Sequence, residues 1–272
     1  MSGGLFPRAP EAFEAFFEPL FAKLHLSKLA RHTHVFIGAA LVYQLVMMLS
    51  PRISSRLSKH YPSLPLKTRI NWDIHFVSTV QSIFLCVVGS LMFVDRRSWS
   101  DKIFGYSEFT ADVIATAGGY FLWDLLTSIR YVYLTGPGFV VHALAALFVV
   151  CFSYRPFLMY FAPTFLSWEL STPFLNVHYF LDKTDRTGSK LQLINGLMLV
   201  LTFFLVRIVY GWYSAYDTTL EVIRRVKSTP YILGVFFLIA NMSLNFLNLY
   251  WLYKMIDAIK RRVDGEKKPK KA

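Results

Sequence analysis

The chain has 272 residues, 54% of them hydrophobic and only 17% charged, with a formal net charge of +12. A soluble domain of this length carries about 25% charged residues. Here the charges sit in short clusters between long apolar runs, which excludes an ordinary soluble fold and predicts an all-α membrane protein. The positive excess lies beside the apolar runs, where it suits anionic headgroups, and no nucleic-acid-binding motif accompanies it.

The N-terminal stretch carries Glu11, Glu14 and Glu18 and lacks the continuous apolar region of a secretory signal peptide. Phe13, Phe16, Phe17, Leu20, Phe21 and Leu24 recur at helical spacing, forming one apolar stripe on a helix that Pro19 should bend. Such a helix either lies in the membrane interface or packs on a bundle, and periodicity leaves both open.

Apolar segments that reach or approach the roughly 20 residues needed to span hydrocarbon then follow. They are His34–Leu49, Ile74–Val94, Val113–Leu134, Phe139–Tyr154, Pro156–Leu181, Leu191–Tyr216 and Thr229–Tyr253. The prediction is therefore about seven transmembrane helices. Gly136-Pro137-Gly138 marks a tight turn between the third and fourth. Pro163 and Pro173 interrupt the fifth and suggest a broken or re-entrant segment.

Lys and Arg set the orientation. Arg52, Arg56, Lys59, Lys67 and Arg69 follow the first span, and Lys260, Arg261, Arg262, Lys267, Lys268, Lys270 and Lys271 follow the last. The opposing loops carry fewer, chiefly Arg96, Arg97, Lys102, Arg224, Arg225 and Lys227. With an odd number of spans, the first loop and the C-terminal tail share a side, which the positive-inside rule makes cytosolic, leaving the N-terminus lumenal. The last five residues, Lys268–Ala272, fit a K-x-K-x-x pattern, which resembles a retrieval signal for the endoplasmic reticulum and reads more readily as a solvated basic tail near lipid headgroups.

Ionisable and amide groups inside spans are costly and usually face the bundle interior. They are Asp73, His75 and Gln81; Asp124; His142; Glu169, Thr172, Asn176 and His178; Asn195 and Arg207; and Asn241, Asn245 and Asn248. On a regular helix Glu169, Thr172 and Asn176 share one face, as do Asn241, Asn245 and Asn248, while His75, Thr79 and Ser82 form a weaker third stripe. The asparagines could simply knit helices together. Asp124 could pair with Arg207 or Arg130, and Asp73 and His75 could lie at the water interface. His142 with Glu169 is the pair best suited to chemistry, a base and a carboxylate that orients it. Cys86 and Cys151 lie apart in apolar segments, and neither a metal site, a nucleophile elbow nor a nucleotide-binding loop is present.

Several segments are similar to the TLC-domain family, which includes the translocating-chain-associating membrane proteins, the ceramide synthases and the ceroid-lipofuscinosis membrane protein. They are Ile70-Asn-Trp-Asp-Ile-His75 with Val77-Ser-Thr-Val-Gln-Ser82, Gly119-Tyr-Phe-Leu-Trp-Asp-Leu-Leu126, Val141-His142, Trp168-Glu-Leu-Ser-Thr-Pro-Phe-Leu-Asn176, and Ile194-Asn-Gly through Phe204-Leu-Val-Arg-Ile208. The resemblance covers Ser50 to Lys260 and looks like the transmembrane protein 56-like branch. It implies a TLC domain of six helices around a central cavity (51–259), preceded by one extra span (33–50); the stripe and the Lys and Arg bias add a lumenal amphipathic segment (1–32) and a basic cytosolic tail (260–272).

In ceramide synthases, the resemblance implies, a His-His pair and a later His-Asp-x-x-Asp motif transfer an acyl group from acyl-coenzyme A. Here His142 matches the second histidine, but Val141 replaces the first. Glu169 and Thr172 stand at the two aspartates, and Trp168 at the preceding histidine. A true ceramide synthase is therefore not expected. The leading expectation is a protein of lipid homeostasis in the endoplasmic reticulum that holds a lipid or acyl chain. It is either an acyltransferase-like enzyme using His142, Glu169 and Asp124, or a non-catalytic lipid sensor, carrier or cargo receptor. Thr172, Asn176, His75, Asn241 and Asn245 are the candidate lipid-binding residues. No cofactor is expected, acyl-coenzyme A being a substrate in the enzyme reading; the partners are membrane lipids, and the oligomeric state is left open. A small-solute transporter is the third reading, weakened by the lack of an internal repeat.

Overall fold

The computed structural model describes residues 3–96, 99–155, 157–225, 227 and 231–263. Arg97, Pro156, Thr229 and the tail after Val263, with Lys267, Lys268, Lys270, Lys271 and the K-x-K-x-x ending, lie outside the described residues. The helices are α1 (Glu11–Lys23), α2 (Leu29–Leu57), α3 (Leu66–Asp95), α4 (Glu108–Arg130), the short α5 (Val132–Thr135), α6 (Pro137–Phe152), α7 (Ala162–Leu166), α8 (Thr172–Lys183), α9 (Lys190–Phe203), α10 (Tyr210–Arg224) and α11 (Tyr231–Val263). A π-helical turn, Phe204–Val209, joins α9 to α10. Helices α2 and α3, the continuous Lys190–Arg224 rod and Leu233–Arg261 of α11 are each long and apolar enough to cross a membrane.

Local chemistry explains the boundaries. Ser107 caps α4 and Ser189 caps α9, each accepting a hydrogen bond from a backbone N–H three residues on. Gly136 takes φ +90°, a conformation that only glycine adopts freely, and Pro137 then opens α6. At 16 residues α6 is the short helix its apolar run predicted. The fifth apolar segment breaks where its prolines stand. Pro163 sits in the first turn of α7 and Pro173 in the first turn of α8, with the 3₁₀ segment Ser167–Ser171 between them. Each proline lacks the N–H that a continuous helix would need, so each begins a new helix.

The bundle inverts the pattern of a soluble protein. Leu41, Val42, Leu45 and Met48 of α2, Ile83, Val87 and Val94 of α3, and Leu193, Leu197 and Leu201 of α9 are exposed. Gln81, Asp124, Asn176, Gln192, Arg207, Asn241, Asn245 and Asn248 are buried. Exposed leucine around buried amides and charges is what hydrocarbon outside and a polar interior require, and with the apolar lengths it makes this an all-α membrane protein.

The helices close a ring in the order α2, α4, α6, α11, the π turn with α9, α8, α3 and back to α2. Helix α4 lies deepest, with every residue from Phe109 to Phe121 buried. It runs parallel to α2, since His32 meets Asp112 near one end and Gln44 meets Trp123 near the other. Gly118 and Gly119 permit this approach. A Cβ on Gly119 would stand 2.4 Å from the Phe36 carbonyl oxygen and 2.8 Å from the Ala40 amide nitrogen, so the two backbones touch.

Helix α1 packs part of its stripe on the bundle. Phe21 packs on the core and Phe13 meets the His34 ring edge-on, while Phe16, Leu20 and Leu24 stay exposed. The residues before it form a strap. The amides of Leu5 and Phe6 donate to Asp112 Oδ2 at 2.7 and 3.0 Å, and His34 Nε2 lies 2.9 Å from the Pro7 carbonyl. Asp112 Oδ1 is 2.6 Å from His32 Nδ1, and His32 Nε2 is 2.6 Å from the Tyr106 hydroxyl.

Gly119→Ala should cost about 1–3 kcal/mol by forcing α2 from α4, read as a lower melting temperature in detergent. Gly38→Ala, with open space around its Cβ, should not destabilise. Equal melting temperatures for the two variants would remove the close-contact argument. Asp112→Ala should cost about 1.5–3 kcal/mol, the range for hydrogen bonds to a charged group, and should expose residues 3–10 to limited proteolysis. An unchanged digestion pattern would mean that the strap does not depend on Asp112.

Candidate functional site

Inside the ring, α4, α6, α7, the 3₁₀ segment, the π turn and α11 enclose a chamber of about 840 Å³, counting its open mouth. His142 and Ser153, eleven positions apart along α6 and its C-cap, both line the wall, so the chamber is at least about 16 Å long at 1.5 Å rise per residue. One end is apolar, lined by Phe152, Phe157, Leu158, Phe165 and Phe237. The polar lining gathers toward the other end as His142, Glu169, Arg207 and Asn241.

Arg207 organises that polar end. It projects from the π turn and is 7% exposed. Its Nε donates to the Trp168 carbonyl at 3.0 Å and to the Ser171 hydroxyl at 3.1 Å. Nη1 donates to Asn248 Oδ1 and Nη2 to Thr172 Oγ1, both at 3.3 Å. Nη2 also lies 3.8 Å from Glu169 Oε1. A buried guanidinium needs acceptors around it, and the broken segment supplies them because its 3₁₀ turn leaves a backbone carbonyl and short hydroxyls facing inward.

The structure brings His142, Glu169 and Asn241 to one chamber, with Thr172 reaching it through Arg207. His142 packs edge-on against Trp251 at 5.3 Å and Phe121 at 6.3 Å, and its Nδ1 is buried with no hydrogen-bond partner among the described residues. Glu169 points its carboxylate at Arg207. Asp124 departs from the expected pairing. Arg207 goes to Glu169, and Arg130 is exposed against Tyr131, while Asp124 Oδ1 accepts a bond from the Ser128 hydroxyl at 3.4 Å.

The single face expected for Glu169, Thr172 and Asn176 is split. The 3₁₀ segment has about 3.0 residues per turn against 3.6 in an α-helix, so the face rotates at Ser171. Glu169 and Thr172 approach Arg207, whereas Asn176 turns to α3. There Asn176 Oδ1 lies 2.7 Å from His75 Nδ1, its amide donates to the Ser78 hydroxyl at 3.2 Å, and His75 stacks on Tyr179 at 4.0 Å. His75 and Asn176 thus form a separate junction of α3 and α8. Asp73 is buried, accepting bonds from Ser50 at 2.6 Å and from Tyr61.

Asn245 donates to Asn241 Oδ1 at 3.0 Å, and Asn248 accepts from Arg207, so the asparagine face of α11 serves the chamber wall. Sequence reasoning treated Arg207 as a partner of Asp124 and so missed its central place. The available signal was its position as a lone arginine inside an apolar span. The His32–Asp112 pair at the opposite end was also missed, because the two residues are 80 positions apart.

Residues 71–257 match the TLC domain family. A TLC domain-containing protein of Schizosaccharomyces pombe is 57% identical over 265 residues, 97% of this chain and 91% of that protein. Topoisomerase I damage affected protein 4 of Saccharomyces cerevisiae is 29% identical, covering 90% of this chain and 91% of its own. TLC domain-containing protein 4-A of Xenopus laevis is 32% identical, covering 85% and 94%. No solved structure matches the chain. The family match includes most of the helices that build the chamber, and this multi-pass membrane protein belongs to the TLC-domain family.

Proposed function

We propose that the chamber holds a lipid, with the acyl chain along the phenylalanine-lined end and the headgroup among His142, Asn241 and the Glu169–Arg207 pair. The observation that carries this reading is the asymmetry of the chamber, apolar over most of its length with its charged groups gathered toward one end. An amphiphile with one apolar and one polar end has the same asymmetry. The protein then acts in lipid homeostasis as a carrier or sensor.

A second reading, acyl transfer, is favoured by one feature: the unpaired ring nitrogen of His142 in the chamber wall. As a base, that nitrogen would take a proton from an acceptor hydroxyl or amine as it attacks an acyl thioester and expels the thiolate. Ceramide synthesis is not part of this reading. Val141, at the position of the family's first histidine, is 48% exposed, on the lipid side of α6 and outside the chamber lining. Neighbouring residues on a helix face different ways, so a histidine pair there would not share this chamber as it stands. We place the chain nearest the transmembrane protein 56-like branch.

We also place it in the endoplasmic reticulum membrane with a cytosolic C-terminus. Arg52 and Arg56 of α2, Lys67 and Arg69 of α3, Lys183 of α8, Lys190 of α9 and Lys254, Lys260 and Arg261 of α11 sit on helix ends at the same end of the ring. The positive-inside rule puts that end in the cytosol.

Native mass spectrometry of the purified chain should find a lipid bound. Val149→Trp and Ala146→Phe, which fill the chamber, should lower its occupancy at least tenfold without a large drop in melting temperature. A lipid-free wild type, or full occupancy in both variants, would refute the lipid reading. If acyl transfer is also detected with a long-chain acyl-coenzyme A, His142→Ala should reduce it at least a hundredfold in a variant that still folds; unchanged turnover would remove His142 as the base.

A further inference from the structure

We infer that the chamber selects an uncharged, hydroxyl-bearing lipid with a single acyl chain, such as a monoacylglycerol, over lipids with a phosphate headgroup; this rests on the lipid reading above and names the lipid class.

The argument begins with charge. Among the described residues, Glu169 and Arg207 are the two charged side chains in the lining, and they face each other at 3.8 Å. Their charges cancel, so the polar end offers an incoming anion no net attraction. Burying a further charge beside an already balanced pair is unfavourable, because the attraction that would offset its desolvation is already taken.

Hydrogen-bond capacity points the same way. Bidentate recognition of a phosphate by arginine uses two parallel N–H groups facing its oxygens. Here every guanidinium nitrogen is already engaged. Nε serves Trp168 and Ser171, Nη1 serves Asn248, and Nη2 serves Thr172 and Glu169. The guanidinium is a strut of the chamber wall rather than an anion clamp.

Two lining residues carry a buried polar atom without a partner among the described residues, Trp168 with its indole N–H and His142 with the nitrogen that suits a neutral ligand. His142 Nδ1 is buried and unpaired among the described residues. A neutral imidazole nitrogen either donates or accepts, depending on its tautomer, and a hydroxyl does both. A hydroxyl therefore satisfies that nitrogen in either tautomer without bringing a charge. The chamber's length along α6, at least about 16 Å, suits an extended acyl chain.

The test is competition among three lipids with the same oleoyl chain: 1-monooleoylglycerol, oleoyl lysophosphatidylcholine and oleoyl lysophosphatidic acid. They are offered to the full chain in detergent and read by native mass spectrometry. The expected result is occupancy by monooleoylglycerol at least tenfold above either phospholipid. Equal or tighter binding of lysophosphatidic acid overturns this inference and leaves the lipid reading standing. Binding of none of the three, by a folded chain that also carries no lipid of its own, overturns both. Glu169→Gln leaves Arg207 unbalanced and should shift the preference toward lysophosphatidic acid about tenfold. An unshifted preference in a folded variant would mean that charge balance does not set selectivity. The wild-type comparison stands alone if the variant does not fold.

Discussion

A guanidinium buried in the middle of a membrane bundle must be surrounded by acceptors, and much of this architecture can be understood as meeting that need for Arg207. Four of its contacts come from one short stretch, Trp168 to Thr172, and the fifth from Asn248 on α11. That stretch is the one place in the apolar sequence where two prolines prevent a continuous helix. A regular α-helix would have used the Trp168 carbonyl in its own ladder. At the break it accepts from Arg207 and from the Ser171 hydroxyl, at 3.0 and 3.2 Å, so side chains satisfy it inside the bundle. The π turn contributes on the other side, since its wider i→i+5 pattern alters the helix face just where Arg207 points inward. Two irregular backbones thus stabilise each other through one side chain.

The chamber is a consequence of that arrangement. A broken segment cannot fill the ring as a straight helix would, and the space beside it is bounded by α4, α6 and α11. Its polar end lies where the broken segment meets Arg207, and its apolar end where the phenylalanines of the same segment and of α11 gather. The two ends of the bundle also differ. One bears more of the basic residues. The other is closed by the N-terminal strap on Asp112 and His32, which holds α1 with part of its apolar surface still facing outward. The tight α2–α4 contact at Gly119 makes α2 a full member of the ring, although it precedes the residues that match the family.

Legibility differed by the range of the interaction involved. The turn at Gly136-Pro137, the breaks at Pro163 and Pro173 and the short α6 were readable because each depends on neighbours in the chain. The buried asparagines of α11 were readable from spacing because α11 is a regular helix. The separation of Asn176 from Glu169 was not, since it depends on a 3₁₀ segment that periodicity assumes away. Nor was the choice of Arg207 between Asp124 and Glu169, because any of several helix rotations would satisfy the same sequence pattern.

The sequence by itself determined that the chain lies in a membrane, that its spans are helical and that polar groups face inward, since apolar run length and the cost of bare charges in hydrocarbon are properties of composition and order. Only the tertiary structure decided which of those groups meet. It drew His142, Glu169, Arg207 and Asn241 to one chamber, joined His75 and Asn176 elsewhere, and paired His32 with Asp112. The physical reason is that a hydrogen bond or ion pair acts over a few ångströms, and which residues come that close depends on how separate helices rotate and break against one another.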